Sequence, residues 1–308
     1  MNDIPNSSDW FKFISFADNT SLINSCNLSL SQNDASIVDN INIELSKIYE
    51  WLAVNKLSLN ISKTKFRIFH HPNKKIRNIQ IKINDIDIER VADFCFLGLT
   101  INEHLTWKTH IDKISSKVSK FNGILNKLKH FLPHQVLRSL YCSLIQSQIN
   151  YCILAWGFDH NKLEKYQKKS IRIISCSRYN AHTEPIFKNM KLLKINDLFK
   201  LNLLKFYQKL VNNLLPLYFE DFKLLTMADI HSHDTRNKHV IPSNITRTES
   251  AQNSVRNILP IILNNTDNLI TSKFLTHSPK GFSDYIKTHM ILSYSEICQI
   301  QNCHICRN

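Results

Sequence analysis

The sequence predicts an α+β protein in which short strands come first and helices follow. Residues 11 to 23 and 79 to 89 set apolar runs on either side of two polar residues, the pattern of a β-hairpin. From about residue 107, apolar residues recur three and four positions apart, which is the period of one helix face. The chain has only four glycines, and none forms a G-x-G-x-x-G or Walker loop, which excludes the glycine-rich phosphate-binding folds.

The first pattern, Phe11 to Ile23, predicts a hairpin with an Asx turn at Asp18 and Asn19. Such a turn holds both side chains at a strand junction, where backbone pairing fixes the direction of the Asp18 carboxylate. Asp18 is therefore a candidate metal ligand. The alternative is that Asp-Asn stands here only because both residues favour turns.

The rest of the first hundred residues predicts one long helix between strands. Residues 33 to 57 form the helix, because apolar side chains recur along one face. That face consists of Ile37, Ile41, Leu45, Ile48 and Leu52. Residues 61 to 70 predict a strand, the turn Asn84-Asp85 predicts a second hairpin, and residues 94 to 101 predict a further strand. Gly98 in that strand marks a place where the backbone can approach a ligand closely.

The second part is predicted to be helical, with a polar loop or linker from residue 226 to 256. Its expected helices cover residues 109–131, 133–147, 160–175, 195–214 and 282–295. Two of these helices carry a row of cations at helical spacing beside the apolar face. The rows are Lys113, Lys117, Lys120 and Lys127 in one helix, and Lys162, Lys165, Lys169 and Arg172 in the other. Such rows either contact phosphates or only solvate exposed faces.

The charge of the whole chain narrows the choice of partner. Lys and Arg number 39 against 25 Asp and Glu, which gives a net charge of +14 and a pI near 9.4. This surplus favours nucleic acid or an anionic membrane surface as the partner. The most apolar long segment, Tyr141 to Phe158, is interrupted by Gln146, Gln148 and Asn150, so we expect no membrane span.

The eight cysteines lack the spacing of a disulfide scaffold, and no export signal is visible at the N-terminus. We therefore expect reduced thiols and a location in the cytoplasm or nucleus. The tail places Cys298, Cys303 and Cys306 around His304, but one C-x-x-C supplies only two of the four ligands of zinc. We expect no zinc there, although His277 or His289 could complete a ligand set.

The order of these segments resembles the reverse transcriptases of non-LTR retrotransposons, the jockey-like group in particular. Phe16-Ala17-Asp18-Asn19 is similar to that family's Phe/Tyr-Ala-Asp-Asp hairpin, with Asn19 in place of the second Asp. Lys63-Thr64 and Phe96-Leu97-Gly98 resemble its Lys-Thr pair and its primer-grip hairpin. Further matches fall in the expected order, at Leu105-Thr-Trp107, His110-Ile111, Leu140-Tyr141, Tyr151-Cys152, Trp156-Gly157, Gln167-Lys168, Arg172-Ile-Ile174 and His182-Thr183.

The resemblance implies part of a polymerase palm at residues 1–103, a helical thumb-like domain at 104–225, and a polar linker with a C-terminal extension at 226–308. It implies an RNA-directed DNA polymerase, a nucleotidyltransferase that acts on an RNA template and a DNA primer duplex. Asp18 would bind Mg²⁺, and Asn19 takes the place of its catalytic neighbour. Lys63 would lie near the incoming triphosphate, the alternative being an ordinary solvated lysine.

The resemblance also makes us expect that this chain alone is inactive. Nucleotidyl transfer needs two Mg²⁺ ions held by converging carboxylates, and Asn19 offers only a neutral oxygen. The family's other palm Asp lies far upstream of the hairpin, and only seventeen residues precede Asp18. Two alternatives remain: a non-catalytic nucleic-acid-binding module, and a helical interaction remnant with no nucleic-acid role.

Overall fold

The computed structural model describes residues 3–17, 19–25, 34–74, 76, 78–219, 221–231, 236, 238–267, 270 and 272–296. The chain mixes helices with small sheets, which confirms the α+β class. It divides into two compact units, Met1–Thr106 and Trp107–Asn308. Among the described residues, no helix is both long and apolar enough to cross a membrane.

The first unit contains one long helix and three small sheets within its described residues. A 3₁₀ turn at Ile4–Ser7 comes first. The regular elements are β1 Lys12–Phe16, β2 Asn19–Ile23, α1 Asp34–Val54, β3 Lys65–Phe66, β4 Ile81–Ile83, β5 Ile86–Arg90, β6 Asp93–Phe96 and β7 Leu99–Asn102. The strands pair as β1–β2, β3–β5–β4 and β6–β7, and only the short β3–β5 pair is parallel.

The predicted first hairpin is confirmed, but its turn lies one residue earlier than expected. Phe16 pairs with Asn19, so Asn19 begins β2 and does not sit inside the turn. Ala17 has a φ of 52° and supplies the left-handed backbone that a tight hairpin turn needs. Asp18 lies outside the described residues.

The two later hairpins turn in the same way on different residues. Asn84 and Asp85 have φ values of 46° and 64°, the type I′ geometry that these residue types favour, and the predicted hairpin is confirmed. The single strand predicted over residues 94 to 101 is wrong. These residues form a third hairpin, β6–β7, that turns on Leu97 and Gly98 with φ values of 46° and 83°. Leucine seldom adopts this backbone, so its side chain gave no turn signal.

The core of the first unit lies between α1 and the β4–β5 hairpin. It consists of Ile4, Leu45, Ile48, Leu52, Ile81, Ile83 and Ile88. Ile37 and Ile41 from the predicted face are only half-buried.

The strand predicted over residues 61 to 70 is also wrong in extent. Asn60 accepts a hydrogen bond from the Lys63 amide at 3.2 Å, which favours a 3₁₀ turn at Ile61–Lys63 and leaves only two strand residues.

The second unit is mainly helical in its described part, as predicted. The loop or linker predicted over residues 226 to 256 is wrong in part, because that range contains the short helices Met227–Ile230 and Glu249–Gln252 and the start of the helix Val255–Asn264. Its longer helices are α2 Lys108–Leu128, α3 His134–Tyr141, α6 Asn161–Ile174, α7 Thr183–Asn189, α8 Ile195–Val211, α11 Val255–Asn264 and α13 Pro279–Leu292. Four-residue helices lie between them at α4 Ser147–Asn150, α5 Ile153–Trp156, α9 Met227–Ile230, α10 Glu249–Gln252 and α12 Lys273–Thr276. A π-helical turn at Cys142–Gln146 joins α3 to α4, and a 3₁₀ turn occupies Leu217–Phe219.

Helices α2 and α6 pack against each other. The Asn122 side chain on α2 donates to the Tyr166 carbonyl on α6 at 3.2 Å. Ile111, Ile114 and Val118 are buried on the inner face of α2, as the spacing predicts. Ile124 was expected on that face but is 47% exposed. Steps of three residues fall short of a full 3.6-residue turn, so the series drifts around the helix.

A buried glutamine joins three elements of this unit. Gln167 on α6 is fully buried, and its amide donates to the Tyr141 hydroxyl on α3 and to the Leu193 carbonyl, both at 3.0 Å. Its carbonyl oxygen accepts from the Ile195 amide at the start of α8 at 2.9 Å. A buried polar group with all these partners fixes the relative position of α3, α6 and α8.

The C-terminal helices pack onto α8 in the same unit. Gln208 and Asn212 of α8 donate to the backbone carbonyls of His277 and Phe274, at 2.8 and 3.0 Å. After α13, the Tyr294 hydroxyl donates to Asp197 of α8 and accepts from the Lys194 amide. Burial, together with Asp197, raises the pKa of Tyr294 far above its usual value.

Candidate nucleic-acid interface

The basic row of α2 faces solvent. Lys113, Lys117, Lys120 and Lys127 are all exposed. Each stands one position before a residue of the predicted apolar face, and one position turns the helix by about 100°. The buried residues of α2 therefore anchor the helix while its lysines project away from the core. This places four positive charges along an accessible helix surface.

In the basic row of α6, three cations are exposed to solvent and the fourth is hydrogen-bonded to the backbone. Lys162, Lys165 and Lys169 are exposed, whereas Arg172 is half-buried. The Nε atom of Arg172 donates to the Ala181 carbonyl at 2.7 Å, and burial lowers its pKa. Arg172 thus holds the segment after α6 in place, and the exposed part of this row is its three lysines.

The two rows belong to a packed pair of helices. Lys162 Nζ lies 2.5 Å from Asp112 Oδ1, which ties the start of α6 to the first turn of α2. This hydrogen bond raises the pKa of Lys162, and the same ion pair offsets part of its charge. Seven of the eight predicted cations are exposed on these two neighbouring helices. We call these seven exposed lysines of α2 and α6 together the basic face.

A buried histidine lies beneath one end of the basic face. His110 is 4% exposed, and its ring lies 6.1 Å from the Trp107 ring and 5.7 Å from the Trp156 ring. Burial lowers the pKa of His110, and the positive charges of Lys113 and Lys117 lower it further.

The residues predicted to be catalytic lie in the first unit. Asn19 is exposed at the start of β2, and Lys63 is exposed at the end of the 3₁₀ turn. Neither β1 nor β2 contains an acidic residue, so a Mg²⁺ ligand on this hairpin would have to come from Asp18, outside the described residues. The described part of the hairpin therefore offers the neutral side-chain oxygen of Asn19 but no carboxylate.

The predicted primer-grip residues form the tip of the β6–β7 hairpin. Leu97 and Gly98 are the two exposed turn residues. Phe96 is half-buried and its ring lies 6.2 Å from the Phe94 ring. Gly98 does allow close approach of the backbone, because it has no side chain and sits at an exposed turn.

The structure also brings together three residues that the sequence did not single out. His70, Glu103 and His104 place one ligand atom each within 4.8 Å of one another. Glu103 and His104 are adjacent, but His70 lies on a different segment of the first unit. No metal-binding spacing connects the three in the sequence, so only the pairing of these segments could have revealed the cluster. The cysteine tail at Cys298, Cys303 and Cys306 lies outside the described residues.

No family of known proteins, no curated protein and no solved structure matches this chain.

Proposed function

We propose that this chain binds the phosphate backbone of a nucleic-acid duplex through the basic face. The observation that carries the proposal is the placement of seven exposed lysines on two helices that pack directly against each other. Lysine ammonium groups on flexible stems contact phosphates without reading base edges. The net charge of +14 supports a polyanionic partner.

The order of elements favours a particular kind of duplex. Hairpin, long helix, hairpin, primer-grip-like hairpin and then helices is the order in the reverse transcriptases that the sequence resembles. In that family the helical region after the palm is the thumb, which follows the primer–template duplex. We therefore propose that the basic face corresponds to the thumb surface of such an RNA-directed DNA polymerase, and that the partner is an RNA template paired with a DNA primer.

The proposal separates binding from catalysis. Polymerases of this kind use two Mg²⁺ ions, and Asn19 replaces one of the carboxylates that would neutralise them. The 308-residue polypeptide should therefore bind duplex without extending a primer. Primer extension with dNTPs and Mg²⁺ or Mn²⁺ measures this directly, and incorporation that Asp18→Ala abolishes would contradict it.

A salt titration tests the binding. Affinity for DNA duplex and for RNA–DNA hybrid is measured across salt for the wild type, for Lys113/Lys117/Lys120→Gln and for Lys165/Lys169→Gln. Each lost phosphate contact should flatten the slope of log affinity against log salt by about 0.9 on duplex DNA. Losses should be equal across unrelated sequences, since phosphate contacts carry no base information.

A charge-matched control shows whether position matters. Lys209, Lys223 and Lys280 are exposed in the same unit but lie outside α2 and α6. Their triple change to Gln removes as much charge as the α2 variant. We expect it to leave the slope nearly unchanged. Equal flattening by the control would mean that net charge acts without a defined face, and unchanged affinity in every variant would favour a helical interaction remnant instead.

A further inference from the structure

We propose that His70, Glu103 and His104 form a binding site for a divalent transition-metal ion such as Zn²⁺. The site lies in the first unit, between the segment after β3 and the turn after β7. It shares no residue with the basic face or with the β1–β2 hairpin. Two imidazoles and one carboxylate form a ligand set that zinc accepts, with a further position for water.

The backbone fixes both histidine tautomers in the form that a metal needs. The Nδ1 atom of His70 lies 3.0 Å from the His71 carbonyl, and the Nδ1 atom of His104 lies 3.2 Å from the His70 carbonyl. A carbonyl oxygen can only accept, so each Nδ1 carries the proton and donates it. In a neutral imidazole this leaves the lone pair on Nε2. Ligating histidines in metal sites are oriented by the same kind of outer hydrogen bond.

Both Nε2 atoms face the carboxylate of Glu103. The His70 Nε2 atom lies 3.5 Å from Glu103 Oε2, and the His104 Nε2 atom lies 3.7 Å from Glu103 Oε1. A charge-assisted hydrogen bond is shorter, about 2.7–2.9 Å. Two ligands on one tetrahedral zinc, with bonds of about 2.0–2.2 Å, lie about 3.3–3.5 Å apart. The two separations, each to a different oxygen of Glu103, are longer than a charge-assisted hydrogen bond and lie near the ligand spacing on one zinc ion.

The segments that carry the ligands are held together independently of any metal. The His70 amide donates to the Glu103 carbonyl at 3.0 Å. Arg67, three residues before His70, donates to the Ile101 carbonyl on β7, and its guanidinium carbon lies 4.5 Å from the centre of the Phe94 ring. These contacts fix the register of the two segments. The segments therefore hold His70 close to Glu103 and His104 without a bound metal. Pre-positioned ligands of this kind favour binding.

The surroundings favour a nitrogen-preferring metal over Mg²⁺ or Ca²⁺. Arg90 Nη2 lies 3.4 Å from Glu103 Oε2, and its positive charge opposes any cation that binds mainly by charge. Mg²⁺ and Ca²⁺ require several oxygen ligands, whereas this cluster supplies two nitrogens and one carboxylate. The side chains of His70, Glu103 and His104 are 11%, 26% and 29% exposed, which leaves a path for the metal and for a water ligand.

Titration of the full chain with Zn²⁺ against a fluorescent chelator tests the site. The background variant Cys298/Cys303/Cys306→Ser removes the tail thiols, so that a zinc site in the tail cannot be mistaken for this one. We expect one Zn²⁺ bound in that background and no competition from Mg²⁺. His70→Gln, Glu103→Gln and His104→Gln should each weaken binding at least tenfold, since loss of an outer partner alone costs about 10–100-fold.

Three checks separate this site from other causes of Zn²⁺ binding or its loss. His71→Gln removes an exposed neighbouring imidazole but keeps the His71 carbonyl, so Zn²⁺ affinity should stay within a few-fold. Co²⁺ should give d–d absorption without a thiolate charge-transfer band. Circular dichroism should show unchanged secondary structure in the ligand variants. Undiminished Zn²⁺ binding in His70→Gln/His104→Gln, no binding in the background variant, or a thiolate band would each overturn the proposal.

Discussion

The two units differ most in how deeply they bury their apolar residues. In the described part of the first unit, the least exposed apolar side chain is Ile83, at 3%, and Phe16 at the end of β1 is 59% exposed. The second unit buries Val118, Leu125 and Trp156 completely, among many others. Burial of apolar surface is the main favourable term in folding. The second unit therefore carries its own stable core, whereas the first unit has a shallow one.

The small sheets of the first unit are a second difference between the two units. The β1–β2 and β6–β7 hairpins have two strands each among the described residues, and a hairpin of two strands is marginal in water. Ile14, Phe16 and Ile23 on the first hairpin are exposed. Unpaired strand edges next to exposed apolar side chains favour association with other chains. The described part of the second unit has a deep core and contains no strands, so it lacks this weakness.

The largest expected effect is therefore on solubility. We expect the polypeptide 107–296 to be soluble and helical, and the polypeptide 1–308 to give a smaller soluble fraction because it includes the shallow unit. A shorter polypeptide, 104–225, should be less soluble than 107–296, because it loses α12 and α13 and exposes the face of α8 that they cover. From that face, Gln208 and Asn212 donate to backbone carbonyls in α12 and just after it. The soluble fraction after expression at matched levels measures all three. Equal soluble fractions would show that the two units do not differ in this way.

A large effect is also expected at the buried glutamine of the second unit. Gln167→Leu keeps the volume but leaves the Tyr141 hydroxyl, the Leu193 carbonyl and the Ile195 amide without their buried partner. Each unsatisfied buried group costs about 1–3 kcal/mol. We expect a loss of about 3 kcal/mol or more in the free energy of unfolding, measured by urea denaturation.

Two comparisons test the cause of that loss. Gln135→Leu makes the same change at an exposed position of α3 and should stay within about 0.5 kcal/mol. In the first unit, Ser8 is 5% exposed and donates to the Glu44 carboxylate at 2.6 Å. A hydrogen bond to a charged group contributes about 1.5–3 kcal/mol, so Ser8→Ala should cost about 2 kcal/mol, less than Gln167→Leu. If Ser8→Ala costs as much as Gln167→Leu, the two cores are not as different as their burial indicates.

The periodic parts of the fold were predictable, and the tertiary contacts were not. Apolar spacing located α1, α2, α6 and α8, and Asn84-Asp85 located a hairpin turn. The pattern of residues did not predict the β6–β7 turn, because Leu97 adopts a left-handed backbone there and leucine is not a residue type that favours such turns. The basic rows were visible because helical spacing is a local property. Gln167 and the His70, Glu103 and His104 cluster depend on contacts between distant segments, which spacing does not encode.

A smaller effect should appear in the pH dependence of the second unit. The pKa of His110 is lowered in the folded state, so the unfolded chain takes up a proton at a pH where the folded chain does not. Stability is then highest above the unfolded pKa of about 6.5 and falls as the pH drops through that value towards the folded pKa. His110→Gln should flatten this decline. Trp107 and Trp156 flank His110, so their fluorescence follows unfolding. The measurement runs from pH 7.5 to pH 5, which is about one unit above to about 1.5 units below the pKa of an unfolded histidine. An unchanged slope in the variant would assign the decline to other groups.

The smallest expected effect compares the two type I′ turns of the first unit. Asn84 occupies the first turn position of β4–β5, and Leu97 occupies the same position of β6–β7 with the same φ of 46°. A left-handed backbone costs most residues about 1–2 kcal/mol, and Asn less because its side chain can hydrogen-bond locally. Leu97→Asn should therefore raise the free energy of unfolding of the first unit by about 0.5–1 kcal/mol. The reverse change, Asn84→Leu, should lower it by a similar amount.

If Leu97→Asn is stabilising but weakens binding to a primer–template hybrid, the leucine is kept for contact at the hairpin tip, since strain retained in a native turn is typical of functional positions. If it is destabilising, contacts of the Leu97 side chain outweigh the strain of its backbone.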